Sequence, residues 1–267
     1  MEESKLLEMI KRNPSIIKTI ENPTNEMIMA ALERDGLLIR YIKNPTTEME
    51  TVALNNNSRA IEHIKNPSED MKRKSVESGW NNLKYINNPS EELIKIGISK
   101  RGWAIQYADN PSEELQLLAI KKDYDSIKYI ENPFESVQIE AINISYDALR
   151  YIDNPSFNAE KIAVKNNEAA IKFVVNLDKE KMLKLLRINI LIIKYIYRSI
   201  SEEELNSVLK EVISNEEVEE KYIRDFLSCN IIDKDSSEFK LDKIIFIYKY
   251  GSKKAKKIAV DEKLKIR

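Results

Sequence analysis

The dipeptide Asn-Pro sets the frame for anything this chain can fold into. It occurs at Asn13, Asn22, Asn44, Asn66, Asn88, Asn110, Asn132 and Asn154, and from Asn22 onward the spacing is 22 residues every time. Asn176 keeps the register once more, with Leu177 in place of proline. A fixed period held this long marks a repeat architecture. Each unit is then a small supersecondary structure that cannot bury its apolar face alone, so neighbouring units must stack.

Each column of the repeat has a physical reading. In a unit such as NPSEELQLLAIKKDYDSIKYIE, residues 110–131, Asn can cap a helix and Pro can occupy its first turn, where the missing N–H costs nothing. The hydroxyl residues that follow (Thr24, Thr46, Ser68, Ser90, Ser112 and Ser156) are the alternative cap. Acidic pairs such as Glu91–Glu92 and Glu113–Glu114 suit the positive end of the helix dipole. Column six is apolar (Met27, Met49, Met71, Leu93, Leu115, Val137), column ten small (Ala31, Ala53, Ser75, Gly97, Ala119, Ala141, Ala163) and column eleven aliphatic (Leu32 through Val164). These columns share one helical face.

After a polar break such as Arg34-Asp35-Gly36, a shorter pattern follows. Column eighteen is Ile or Leu, column twenty is aromatic except for His63, and column twenty-one is mainly Ile. The segment is long enough for two turns of α or 3₁₀ helix. The fold class is all-α, an α-solenoid of helix–turn–short-helix units, and the small tenth column lets adjacent helices approach closely.

The pattern NP-[ST]-x-E-[LM]…A-[IL]…I-x-Y-I-x-NP resembles the short two-helix solenoid repeats, above all the leucine-rich-variant repeat and more loosely the HEAT-like class. The resemblance covers about residues 13–197. It implies a right-handed superhelix of about seven units and a general binding role. It carries no catalytic residues. The 22-residue period is shorter than the usual unit, and the Tyr-Ile ending differs.

The ends break the pattern. Residues 1–21 read as an N-terminal cap, 22–197 as the repeats, and 198–267 as a C-terminal helical cap with a basic tail. Residues 176–197 form a degraded repeat ending in ILIIKYIY. Beyond it, helices are expected over Ser201–Ser214, Glu216–Cys229 and about Ser237–Tyr250, with Ser201 and Glu204 as a capping box.

Composition narrows the function classes. Lys+Arg is 43 against 44 Asp+Glu, so global charge names no partner. The single Cys229 excludes an internal disulfide and suits a cytoplasmic location. The start, MEESKLLEMI, lacks the layout of a signal peptide, and no apolar run reaches membrane-spanning length. One histidine leaves no imidazole pair for acid–base or metal chemistry. His63 falls in the aromatic column and reads as one more packed ring. No metal-ligand spacing, nucleophile elbow or phosphate-binding Gly loop is present. The segment Asp233-Lys-Asp235-Ser-Ser237 fails as a calcium loop, because Glu238 stands where Gly is needed and Ile244 where the bidentate Glu belongs. The expectation is no enzyme, no cofactor and no metal.

Departures from the repeat consensus are where specificity is expected. Trp80, Tyr124 and Tyr146 occupy column fifteen, Trp103 lies beside Gly102, and Lys100, Arg101, Lys121 and Lys122 surround them. Aromatics interleaved with Arg and Lys are typical of interface hot spots and of stacking platforms for nucleic acid. The plainer alternative is that each ring packs on its own neighbours. Column nineteen is mostly basic (Arg40, Lys84, Lys128, Arg150, Lys172), either a binding stripe or a solvated face. These features suggest a non-enzymatic scaffold binding another protein through the aromatic–basic edge. A nucleic-acid binder using that edge and the basic tail is the alternative, and a stoichiometric inhibitor or adaptor of viral (phage) origin is a third. Neither a membrane nor a small-molecule substrate is indicated.

Overall fold

Each 22-residue unit becomes a ten-residue α-helix followed by a six-residue 3₁₀ helix. The computed structural model describes residues 2–265, and the chain is 72% helical with almost no strand. Its contacts divide it into two compact units between Glu131 and Asn132. In the first unit α1 (Glu2–Arg12) precedes α2 (Asn25–Arg34), α3 (Thr47–Asn56), α4 (Glu69–Ser78), α5 (Glu91–Lys100) and α6 (Glu113–Lys122). The 3₁₀ helices Pro14–Thr19, Gly36–Tyr41, Ser58–His63, Trp80–Tyr85, Gly102–Tyr107 and Tyr124–Tyr129 alternate with them. Successive long helices pack on each other, and so do successive short ones.

The second unit opens with α7 (Glu135–Ile144), the 3₁₀ helix Tyr146–Tyr151, α8 (Phe157–Asn166) and the 3₁₀ helix Glu168–Phe173. The degraded repeat follows as α9 (Lys179–Leu186), short turns around α10 (Ile193–Ile196), then α11 (Glu202–Ser214) and α12 (Glu220–Ser228). The expected capping box is formed, with Ser201 accepting from the Glu204 N–H and Glu204 from the Ser201 N–H. A helix was expected from about Ser237, but residues 232–240 instead hold two short parallel strands, β1 (Ile232–Asp233) and β2 (Phe239–Lys240). The reason is local: the Ser236 hydroxyl accepts from the Glu238 and Phe239 N–H groups and donates to the Ile231 carbonyl, which competes with helix formation. Two helices complete the unit, α13 (Lys243–Tyr250), capped by Asp242, and α14 (Lys253–Lys265). No helix among the described residues is long and apolar enough to cross a membrane.

Asn-Pro does not start the long helices. Those of the first unit from α2 to α6 begin three residues after Asn, and the hydroxyl of Thr24, Thr46, Ser68, Ser90 or Ser112 accepts from the N–H three residues on. Asn and Pro belong to the preceding turn. A residue before proline is kept out of the α region, and Asn tolerates positive φ better than other side chains. Asn44, Asn88 and Asn110 take φ of 50°, 48° and 46°. Among the described Asn-Pro asparagines, Asn13 alone caps the helix that follows it, accepting from the Ser15 N–H, with Pro14 in the first turn.

The core is the set of columns the period singled out. Ala31, Ala53, Leu32, Ile39, Ile61, Leu83, Ile98, Ile105, Ala119, Ile120 and Ile127 are buried, each large one worth about 1.5–3 kcal/mol. Polar side chains tie one repeat to the next. The Asn56 amide accepts from the Gly36 N–H at 2.8 Å and donates to the Glu33 carbonyl at 2.8 Å, and Asp123 accepts from the Gly102 N–H at 2.7 Å.

Column fifteen carries side chains in most units, so alanine there looks harmless from the sequence. At Gly36 it is not, because a Cβ would lie 2.1 Å from the Ala53 carbonyl oxygen, a backbone atom that cannot rotate away. Gly36→Ala is expected to push α3 off its neighbour and cost about 1–3 kcal/mol. Urea denaturation checks this, and an unchanged midpoint would refute the close-approach argument. At Gly97 an added Cβ would lie 2.6 Å from the mobile end of Leu83 but also 2.9 Å from the Cβ of Ala104, which cannot rotate away.

Candidate functional site

Seven of the eight residues the sequence singled out lie in the first unit, but among the described contacts only Arg101 and Trp103 meet each other. Trp103 lies at the start of the 3₁₀ helix Gly102–Tyr107, half-buried, and its ring is held on several sides. Its indole N–H donates to Asp125 Oδ1 at 2.8 Å. The Arg101 guanidinium stands 4.5 Å and the Lys128 ammonium 3.9 Å from its ring centre. The Tyr129 ring meets it edge-on at 5.7 Å. Arg101 is also 3.5 Å from the Asp123 carboxylate, and Lys128 is 3.0 Å from Asp125. Partial burial pushes the Asp125 carboxyl up, but the Trp103 N–H and the Lys128 ammonium outweigh it and hold it below the usual carboxylate range.

Trp80 makes a similar but looser contact one repeat earlier, its ring 6.4 Å from that of Tyr107. Each tryptophan therefore covers the column-twenty tyrosine of the following repeat. Among the described residues the column-twenty tyrosines do not stack on one another, as a row of packed rings had suggested. Instead the basic residue of column nineteen folds over the adjacent ring: Arg40 over Tyr41 at 4.8 Å, Lys84 over Tyr85 at 4.6 Å and Lys128 over Tyr129 at 5.0 Å. Arg59 adds a second cation, 5.8 Å from Tyr85. The basic stripe and the aromatic column are thus one structural feature, with rings beneath and cations above. Sequence reasoning treated them separately and passed over Asp125, although the adjacency of columns nineteen and twenty was visible.

The other expected site residues are placed differently. Lys100, Lys121 and Lys122 end α5 and α6, exposed, and meet no carboxylate among the described residues. Tyr124 starts the 3₁₀ helix Tyr124–Tyr129, half-buried, with no ring contact among the described residues. Tyr146 starts the corresponding helix of the second unit, also half-buried. In that unit Arg150 lies 4.7 Å over Tyr151, repeating the cation-on-ring arrangement.

Comparison with family models, curated proteins and solved structures finds no match.

His63 takes the column-twenty place, half-buried, without a ring or cation stacked on it among the described residues. It lines a shallow cleft with Arg40, Lys43, Glu50 and Lys65, and Glu62 stands beside it where five of the other six repeats carry a cation. His63→Tyr is expected to be neutral within about 0.5 kcal/mol, because a phenol fits the equivalent positions on either side. Thermal denaturation checks it, and loss of binding with an intact fold would revive a chemical role for the imidazole. At the rejected calcium segment, Asp233 pairs with Lys243 at 2.9 Å. No three His, Cys, Asp or Glu side chains converge as a metal site among the described residues. The residues read as a basic tail form α14, whose Ala255, Ile258 and Ala259 are buried.

Proposed function

We propose that the chain is a non-enzymatic helical-repeat scaffold of about seven units, wound in the right-handed sense of the repeats it resembles. It recognises an acidic segment of another protein along the ring-and-cation row of its first unit. One observation carries this reading: Lys84, Arg101 and Lys128 are exposed yet held over the rings of Tyr85, Trp103 and Tyr129. Cations already fixed in place lose little side-chain freedom on binding, and that ordering is a main cost of association. Rigid rings on short helices also set the spacing between charges, which favours a partner whose carboxylates match it. Reducing surroundings suit the single thiol, so a cytoplasmic setting is part of the proposal.

The test is a titration of the full chain with a Glu- and Asp-rich peptide, and separately with a duplex oligonucleotide, across a range of salt. The peptide is expected to bind. Trp103→Ala is expected to weaken it by about 2 kcal/mol, roughly thirtyfold, because the ring positions both Arg101 and Lys128. Lys121→Glu, at the exposed end of α6, is expected to cost much less. If the oligonucleotide binds instead, with log affinity falling by about 0.9 per phosphate contact for each unit of log salt, the nucleic-acid alternative replaces this one.

A further inference from the structure

The repeat departs from its consensus twice at one cleft of the first unit. Column twenty-two is Lys43 and Lys65 in the first two repeats, then Asn87, Asp109, Glu131, Asp153 and Val175. Column twenty holds the chain's single imidazole, His63, where the other repeats carry Tyr or Phe. Both departures line the same cleft of about 720 Å³, together with Arg40 and Glu50. That volume suits a small ligand or a modified side chain. One repeat further along, the places of Arg40, Lys43 and Glu50 are taken by Glu62, Lys65 and Lys72, and two repeats along by Lys84, Asn87 and Ile94. Three cations at these places occur in no other repeat.

The charges of this cleft are placed to meet an anion. Arg40 stands 4.8 Å over the Tyr41 ring, and Lys18 of the preceding repeat covers the same ring. The guanidinium is thus positioned before anything binds, which lowers the cost of ordering it. Arg40, Lys43 and Lys65 are exposed and pair with no carboxylate among the described residues. Glu50 is the one acid among the lining residues, and the nearby Glu62 is already taken up by Arg59 at 3.2 Å. Three cations against one carboxylate leave the cleft positive by two, before the half-buried imidazole is counted. A carboxylate ligand would bring one charge and two acceptor oxygens. A phosphate monoester brings about −1.5 to −2 at neutral pH and three acceptor oxygens, enough for the Arg fork and both ammonium groups. We propose that this cleft binds a phosphate monoester through Arg40, Lys43 and Lys65, with the His63 N–H as a further donor. Lys84, Arg101 and Lys128 do not line it, so the site does not depend on recognition of an acidic segment by the ring-and-cation row.

The experiment titrates the full chain with inorganic phosphate, with an otherwise uncharged peptide bearing one phosphoserine, and with acetate, all at fixed ionic strength so that screening stays constant. Calorimetry is expected to show saturable binding of both phosphates, with acetate about tenfold weaker or worse. Lys43→Gln/Lys65→Gln changes only exposed side chains, so circular dichroism should show an intact fold. This pair is expected to weaken both phosphates about tenfold or more. Lys43→Arg/Lys65→Arg is expected to keep them. Lys234→Gln/Lys240→Gln, which removes the same charge from exposed positions of the second unit, is expected to change nothing. Tighter binding of the peptide than of inorganic phosphate would support a phosphorylated side chain of a partner, and equal binding a small phosphate ester; either upholds the site. Absence of saturable phosphate binding, acetate bound as tightly as phosphate, or equal losses in the two glutamine pairs would overturn it.

Discussion

Lys181→Ala is expected to destabilise the second unit by about 3–5 kcal/mol, far more than a surface lysine ordinarily contributes. The reason lies in Glu160 on α8, which is fully buried at 0% exposure. Its Oε1 accepts from the Val175 N–H at 3.1 Å, and the Lys181 ammonium reaches Oε1 at 3.0 Å and Oε2 at 2.7 Å. Lys181 also donates to the Val175 carbonyl at 2.8 Å, so one ammonium neutralises the carboxylate and ties down the turn before α9. Removing it leaves a buried charge without its counter-ion, and the full desolvation cost falls on the folded state.

The neighbouring repeats supply a control for that prediction. At the same column Gln116 and Gln138 are buried, and each donates its amide to the carbonyl of its own unit's proline, Pro111 or Pro133. Glu160→Gln therefore puts a side chain the repeat already accepts into the site, and it keeps an acceptor for Val175. Combined with Lys181→Met it should recover most of the stability lost by Lys181→Ala. Urea midpoints of the full chain, with hydrogen exchange at residues 156–186, read both effects. If Lys181→Ala and Glu160→Gln prove equally mild, the pair is merely superficial and the reading of Glu160 as a buried, compensated charge is wrong.

This pair also shows where the sequence stopped being legible. Periodicity exposed the positions that repeat: the small column from Ala31 to Ala163 and the aliphatic columns are the core because every unit meets the same neighbour. Column seven has no consensus (Ile28, Glu50, Lys72, Ile94, Gln116, Gln138, Glu160), and the partner of Glu160 lies 21 residues on in the next repeat, so no single repeat reveals the match. The tryptophans behave likewise. Trp80 and Trp103 stood out as departures, yet their partners Tyr107 and Tyr129 belong to the next repeat, and only the register of stacking brings them together. The cap was misplaced for a different reason. Asn, Ser and Thr all favour helix starts, and the Asn column lies in the turn before the helix even at Asn176, where φ is 48° and no proline follows.

The segment from residue 251 onward is the largest such case. Its lysines led it to be read as a basic tail, although Ala255, Ile258 and Ala259 already lie at helical spacing. Deleting residues 251–267 is expected to destabilise the second unit by about 4 kcal/mol or more, since it removes the buried Ile258, Ala255 and Ala259 and uncovers the face of α12 against which α14 packs. Two lysines at a helix start oppose the helix dipole. Here Glu216 offsets them, its carboxylate accepting from the Lys253 and Lys254 N–H groups at 3.0 and 3.3 Å. The start is fixed further by Ser252, whose N–H donates to the Ile213 carbonyl at 2.9 Å and whose hydroxyl accepts from the Ala255 N–H at 3.1 Å. Losing the helix thus also strands a carbonyl at the end of α11. The truncated chain should bind a hydrophobic dye and unfold at lower urea, and Ile258→Asp in the full-length chain should move both readouts the same way. If the truncated chain keeps its midpoint and binds no dye, α14 is a dispensable appendage and its buried side chains contribute nothing to the unit.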